Sequence, residues 1–133
     1  KERFAQLQKK YNLASELLKE PFSIQHALFG PAILVDELGF VDEEIFDAIR
    51  YHPIGRSHMT PLEQVLFLAD FIDSTRTYQA CLKAREIAKT SFKGAIAMKL
   101  EHLIHTQESP HPSTVEAYNY YKIYTKEKLD WNY

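Results

Sequence analysis

Apolar residues recur along this chain at intervals of three and four, the period of an amphipathic helix. Phe4, Leu7, Tyr11, Ala14 and Leu18 set that rhythm at once and predict a helix over about 2–18. Pro21 interrupts it. Ser23 is placed to cap a second helix that carries His26 and runs to about Leu38, where Gly39 supplies a C-cap. Asp42 is placed to cap a third helix, which ends near His52 because Pro53 follows. The tetrapeptide TPLE opens a fourth: Thr60 at the N-cap, Pro61 at the first helical position, and Glu63 completing a capping box. Two more helices are predicted over about 78–89 and 92–105. After the loop ESPHPST, Thr114 caps or opens a last helix through Tyr124, leaving 125–133 as a tail whose order depends on docking of Trp131. No alternation of period two persists, and glycines number four, so the expected fold class is all-α, a bundle of about six to seven helices.

Composition narrows the function classes. A length of 133 residues fits one domain with a sizeable core. The net charge of −2, with basic residues scattered, argues against a nucleic-acid partner or an acidic membrane surface. Cys81 is the single cysteine, which excludes an intrachain disulfide, suits a cytoplasmic location and reads as a small buried hydrophobe. No apolar run approaches the ~20 residues that span a bilayer.

Three polar residues do not fit a plain bundle. His26 lies beside Ile24, Leu28 and Phe29, His52 ends the amphipathic stretch EEIFDAIRYH, and Asp70 sits inside LFLADFI. A carboxylate buried there needs a partner or a cation, because desolvating an unpaired charge is costly. Imidazole and carboxylate together suit divalent iron, manganese or zinc better than calcium or magnesium. The alternative is that Asp70 pairs with Arg50 or Arg76 and the histidines are ordinary helix-end or core residues. Spacing alone leaves both open.

The segments HALFGPA, DEEIFDAIRYHPIGRSHMTPLEQVLFLADFID and PSTVEAYN resemble the HD-domain metal-dependent phosphohydrolases, within them the bacterial YqeK-type symmetrical diadenosine tetraphosphate hydrolases. The resemblance covers about 1–124, which it makes one all-helical HD domain followed by the tail. It implies two metal ions, commonly iron, and hydrolysis of the dinucleotide to two ADP. His26 and Gly30 match the family's His-Gly-Pro-x-Gly-Ala stretch, His52 its Arg-Tyr-His-Thr-x-Gly stretch, and Asp70 its Leu-Ala-Asp. By this match His26 and His52 hold one metal and Asp70 the other. Arg76 matches an arginine read as a phosphate contact, a role its planar fork suits.

The chain departs from the family where Ala27 and Leu28 replace Gly-Pro, where Pro53 replaces a frequent Thr, and above all in lacking a His-Asp doublet and the His before it. Three of six ligands remain. The Met-less, helical start is expected to be the broken edge of a longer protein whose upstream part carries the doublet; a degenerate relative is the other reading. With a complete site, two ions would activate a water while Asp70 and Arg76 serve the reacting phosphate. Arg56, His58 and Asn119 are the further candidates for substrate contact. His102, His105 and Glu101 have the spacing of a surface metal site but read better as exposed polar residues. Tyr118, Tyr120, Tyr121 and Tyr124 form a surface expected to pack, with a second subunit as one partner, giving a homodimer. A different phosphate ester is the second substrate expectation. A non-catalytic regulatory domain, fused behind a nicotinate-nucleotide adenylyltransferase, is the contrasting class.

Overall fold

The computed structural model describes the backbone of residues 1–131 and the side chains of residues 1–125. Within them the chain forms seven α-helices, and no strand occurs among the described residues. They are α1 (Glu2–Lys10), α2 (Phe22–Leu38), α3 (Glu43–Tyr51), α4 (Pro61–Ile72), α5 (Gln79–Ala88), α6 (Phe92–Thr106) and α7 (Pro112–Trp131). The all-α expectation holds.

The long first helix does not. α1 stops at Lys10, Asn12 turns left-handed at φ 51°, and a 3-10 turn at Ser15–Lys19 follows. Asn tolerates that conformation, and Gln8 secures the break by donating its side-chain amide to the Leu13 carbonyl at 2.8 Å. The apolar rhythm continues because both pieces bury the same side: Phe4 stacks on Phe29 at 4.8 Å, and Leu7, Phe29 and Ala32 make a small core.

Three further local expectations change. Ser23 caps nothing, since Pro21 occupies the N-cap of α2. Thr114 lies inside α7, buried, and its hydroxyl donates to the Ile54 carbonyl at 2.7 Å. At α4, Thr60 accepts from the Glu63 amide at 3.2 Å as expected, but the Glu63 carboxylate turns to Arg56 and leaves the capping box half made. The Asp42 cap and the left-handed Gly39 at φ 61° are as read. Helix α7 runs on to Trp131, past the expected end at Tyr124; the docking of the Trp131 side chain lies outside the described residues.

The larger core lies where α4, α5, α6 and α7 meet, around Phe67, Leu68, Cys81, Ile96, Leu100 and Tyr121. Cys81 is fully buried, as expected. Tyr121 is spent within the chain, its hydroxyl accepting from the Met59 amide at 2.9 Å. Helix α3 bridges the two cores by packing on both α2 and α4. None of the described helices is long and apolar enough to cross a membrane.

Candidate functional site

The contact between α2 and α3 is set by absence of a side chain. A Cβ on Gly30 would lie 2.5 Å from Ile49 Cγ2, so only glycine allows the helices this close. One turn away on each helix stand His26 and His52, and their Nε2 atoms come within 3.3 Å. His52 Nδ1 donates to the Ile49 carbonyl at 2.6 Å, which puts its proton on Nδ1 and leaves a lone pair on Nε2. Two nitrogens each about 2.0–2.1 Å from one tetrahedral ion would lie about 3.3–3.4 Å apart. The pair therefore fits one divalent cation in both spacing and tautomer. His26 is exposed and His52 partly buried, so the pair opens to solvent.

Asp70 stands apart from that pair. Among the described residues no group of three or more His, Cys, Asp or Glu forms a metal-sized cluster. Its side chain is 57% exposed, so the expectation of a buried carboxylate is wrong: α4 turns Asp70 out of the apolar run to the rim of a cavity. Its cation is neither Arg50 nor Arg76 but Lys99 of α6, whose Nζ lies 3.3 Å from Oδ1. Arg50 pairs instead with Glu43 and Asp47 on its own helix.

The cavity holds about 210 Å³ and is walled by Pro53, Asp70, Arg76, Tyr78, Lys99 and His102. Pro53 directly follows His52, which makes the cavity the neighbour of the histidine pair. Arg76 is exposed and makes no ion pair among the described residues. Burial pushes the His102 imidazole below its ordinary pKa, and His105 adds to the effect. His102 is thus not the plain exposed residue expected: it stacks on Tyr78 at 5.3 Å and meets Phe71 at 5.4 Å. His105 does stay outside, 3.9 Å from Glu101.

The remaining candidates are scattered. Arg56 donates two bonds to Glu63, 2.8 and 2.6 Å long, reaches Asp47 at 3.4 Å and covers the Tyr51 ring. That pairing holds its guanidinium pKa above the ordinary arginine range. His58 is exposed on a left-handed residue, φ 54°, against the Tyr120 ring at 4.2 Å. Asn119 is exposed and accepts from Lys122.

A second cavity of about 440 Å³ lies on the other side of Pro53, between the start of α2 and the loop joining α6 to α7. Ser23, Ile24, Ile54, Gln107 and His111 line it, and His111 approaches Glu20 at 3.6 Å. Sequence reasoning missed this cavity and Lys99 alike. The signal for Lys99 was present, a lysine inside the run AIAMKL, as anomalous there as Asp70 in its own.

Comparison with known proteins decides the family. The symmetrical bis(5'-nucleosyl)-tetraphosphatase of Bacillus subtilis is 32% identical over 124 residues, covering 90% of this chain and 67% of that protein. The chain belongs to the symmetrical bis(5'-nucleosyl)-tetraphosphatase family. The like-named protein of Halalkalibacterium halodurans is 37% identical over 98 residues, 71% of this chain. That of Staphylococcus aureus is 32% identical over 131 residues, 93% of this chain. The chain spans 52% and 66% of the lengths of these last two tetraphosphatases, respectively. Among solved structures, a predicted HD superfamily hydrolase involved in NAD metabolism, from Clostridium acetobutylicum, superposes with a TM-score of 0.70. It is 22% identical and aligns with 92% of this chain and 67% of its own, so the fold is HD-like. No family model matches.

Proposed function

We propose that this chain is the larger part of a divalent-metal-dependent hydrolase that cleaves diadenosine tetraphosphate symmetrically to two ADP. The observation that carries the reading is the histidine pair, whose facing nitrogens and fixed tautomer suit one cation. The names of the relatives favour this substrate over another phosphate ester and over a non-catalytic domain.

In this reading His26 and His52 would hold one divalent ion, and Asp70 would serve a second. Iron is the metal this reading proposes, and the same ligand types suit manganese or zinc. Bound divalent ions supply Lewis-acid charge and lower the pKa of water toward neutrality. The chain's own residues do the rest. The Ile49 carbonyl keeps the His52 proton on Nδ1, so Nε2 stays a ligand rather than a donor. Arg76 offers its exposed guanidinium fork to phosphoryl oxygens and takes up charge as the central P–O bond breaks. One water is consumed and each product leaves as ADP. Arg56, fastened to Glu63, shapes the turn after His52, while His58 and Asn119 lie apart on the α7 side. The setting is cytoplasmic, where Cys81 stays reduced.

The test incubates the protein, together with its native upstream segment, with ferrous or manganous ion and diadenosine tetraphosphate, and follows ADP release. ADP is the sole nucleotide product, and chelation stops its release. His52→Ala lowers metal affinity by more than the ~10–100-fold that loss of a ligand's supporting partner costs. Bound metal with no ADP release would remove the substrate assignment.

A further inference from the structure

Lysine is among the residues least often buried, and removing an ammonium from water is costly unless its donors are satisfied. Lys99 is 7% exposed at the side chain. One N–H donates to the Phe67 carbonyl of α4, and the Asp70 carboxylate, 3.3 Å away, takes a second. The Phe67 ring face lies 4.0 Å from Nζ and that of Phe71 5.9 Å away, so aromatic faces replace part of the lost hydration.

Pairing with Asp70 does not by itself account for this placement. That carboxylate is more than half exposed and is hydrated without help. What the arrangement does achieve is electrostatic. The cavity beside Asp70 has two cationic walls, Lys99 and Arg76, against one carboxylate, with His102 held toward its neutral form. Its net charge is positive, and its third lysine donor is the one neither Phe67 nor Asp70 takes. At about 210 Å³ it is smaller than the ~300–1,000 Å³ of sites for whole drug-sized ligands, a size suited to phosphoryl groups.

We propose that Lys99 is a phosphate-binding residue, which with Arg76 clamps a phosphoryl group of a polyphosphate chain in the cavity walled by Pro53, Tyr78 and His102. Here Lys99 is a buried point charge in the cavity wall and Arg76 an exposed planar fork beside it. Lys99 also offsets Asp70, so an anion enters without meeting an uncompensated carboxylate. This rests on the polyphosphate reading above only for the identity of the ligand, since the cavity's charge and size stand without it.

The test is calorimetric titration of the metal-free chain with inorganic tripolyphosphate. Lys99→Met, close in volume and uncharged, weakens binding about tenfold or more, whereas Lys99→Arg retains a larger share. A wild-type chain that does not bind tripolyphosphate, or a folded Lys99→Met that binds as well as wild type, overturns the proposal. If Lys99→Met does not fold, the nitrogen resonance of the Lys99 ammonium is followed in the wild-type chain during the titration. Its movement supports the clamp and its constancy overturns it. Lys99-dependent tripolyphosphate binding without diadenosine tetraphosphate hydrolysis keeps the clamp and removes the reaction; hydrolysis with Lys99-independent binding does the reverse.

Discussion

Glu63 is the acid whose environment most constrains its neighbour. It is 1% exposed, and both its oxygens are taken by Arg56 at 2.8 and 2.6 Å. Removing one partner of such a pair leaves a buried charge unmatched, at a typical cost of about 3–5 kcal/mol. Arg56 is partly solvated, so Arg56→Met is expected near the low end, about 3 kcal/mol, read as a fall in the urea midpoint. Adding Glu63→Leu recovers much of the loss, since the stranded charge goes with it. A raised KM at unchanged stability would instead return Arg56 to the substrate. This residue also shows what a sequence hides: the motif TPLE named Glu63 as a capping partner, and only the tertiary position of Arg56 diverts it. Asp70 and Lys99 are the same lesson in another form. Each was visible as a charge in an apolar run, but that they answer each other across 29 positions depends on α4 packing against α6, which helical periodicity does not encode.

Helices were legible where a local interaction ends them. Gly39, Asp42, Thr60 and the Pro53 stop all act within a few residues of themselves, and the elements they bound appear as read. The break at Asn12 was not, because the apolar rhythm survives it and a lone Asn is a weak punctuator. Gly30 lies between these cases. The resemblance marked it, and the structure gives the reason: it lets α3 approach α2 until His26 meets His52. Gly30→Ala puts a methyl into Ile49 and is expected to cost about 1–3 kcal/mol, as overpacking does. The helices separate, so metal affinity falls along with stability. Combining it with Ile49→Ala makes room and restores metal affinity more than it restores stability, because the second change also empties core volume. Thermal melts and metal titration of the two variants read these outcomes separately. Restored stability with metal affinity still lost would detach Gly30 from the positioning of the histidines.

Across the whole molecule, the histidine pair belongs to the α2–α3 side and the Asp70 cavity to the α4–α6 side, and the turn between α3 and α4 joins them at Pro53. That turn is held from a distance in sequence. Ser113 donates to the Gly55 carbonyl at 2.6 Å and Thr114 to the Ile54 carbonyl at 2.7 Å, both from the first turn of α7. Gly55, left-handed at φ 72°, lets the Phe67 ring press within 3.1 Å of where a Cβ would stand. Helix α7 therefore anchors the α3–α4 turn from which Pro53 reaches the cavity. Thr114→Val keeps the volume and removes the donor, leaving the Ile54 carbonyl buried and unmatched at a cost of about 1–3 kcal/mol. Were α7 only one more core helix, all protected amides would exchange faster by the same factor. A clamp predicts otherwise: the amides of Ile54 and Gly55, which bond the Tyr51 carbonyl, quicken more than those of Cys81 and Ala84 in α5. The metal binding proposed for His26 and His52 is then expected to persist, because their contact at Gly30 and Ile49 is untouched, while the tripolyphosphate binding proposed for the Asp70 cavity is expected to weaken as Pro53 loosens. Uniform exchange across these four amides would leave the α3–α4 turn, not α7, as the element that sets the site.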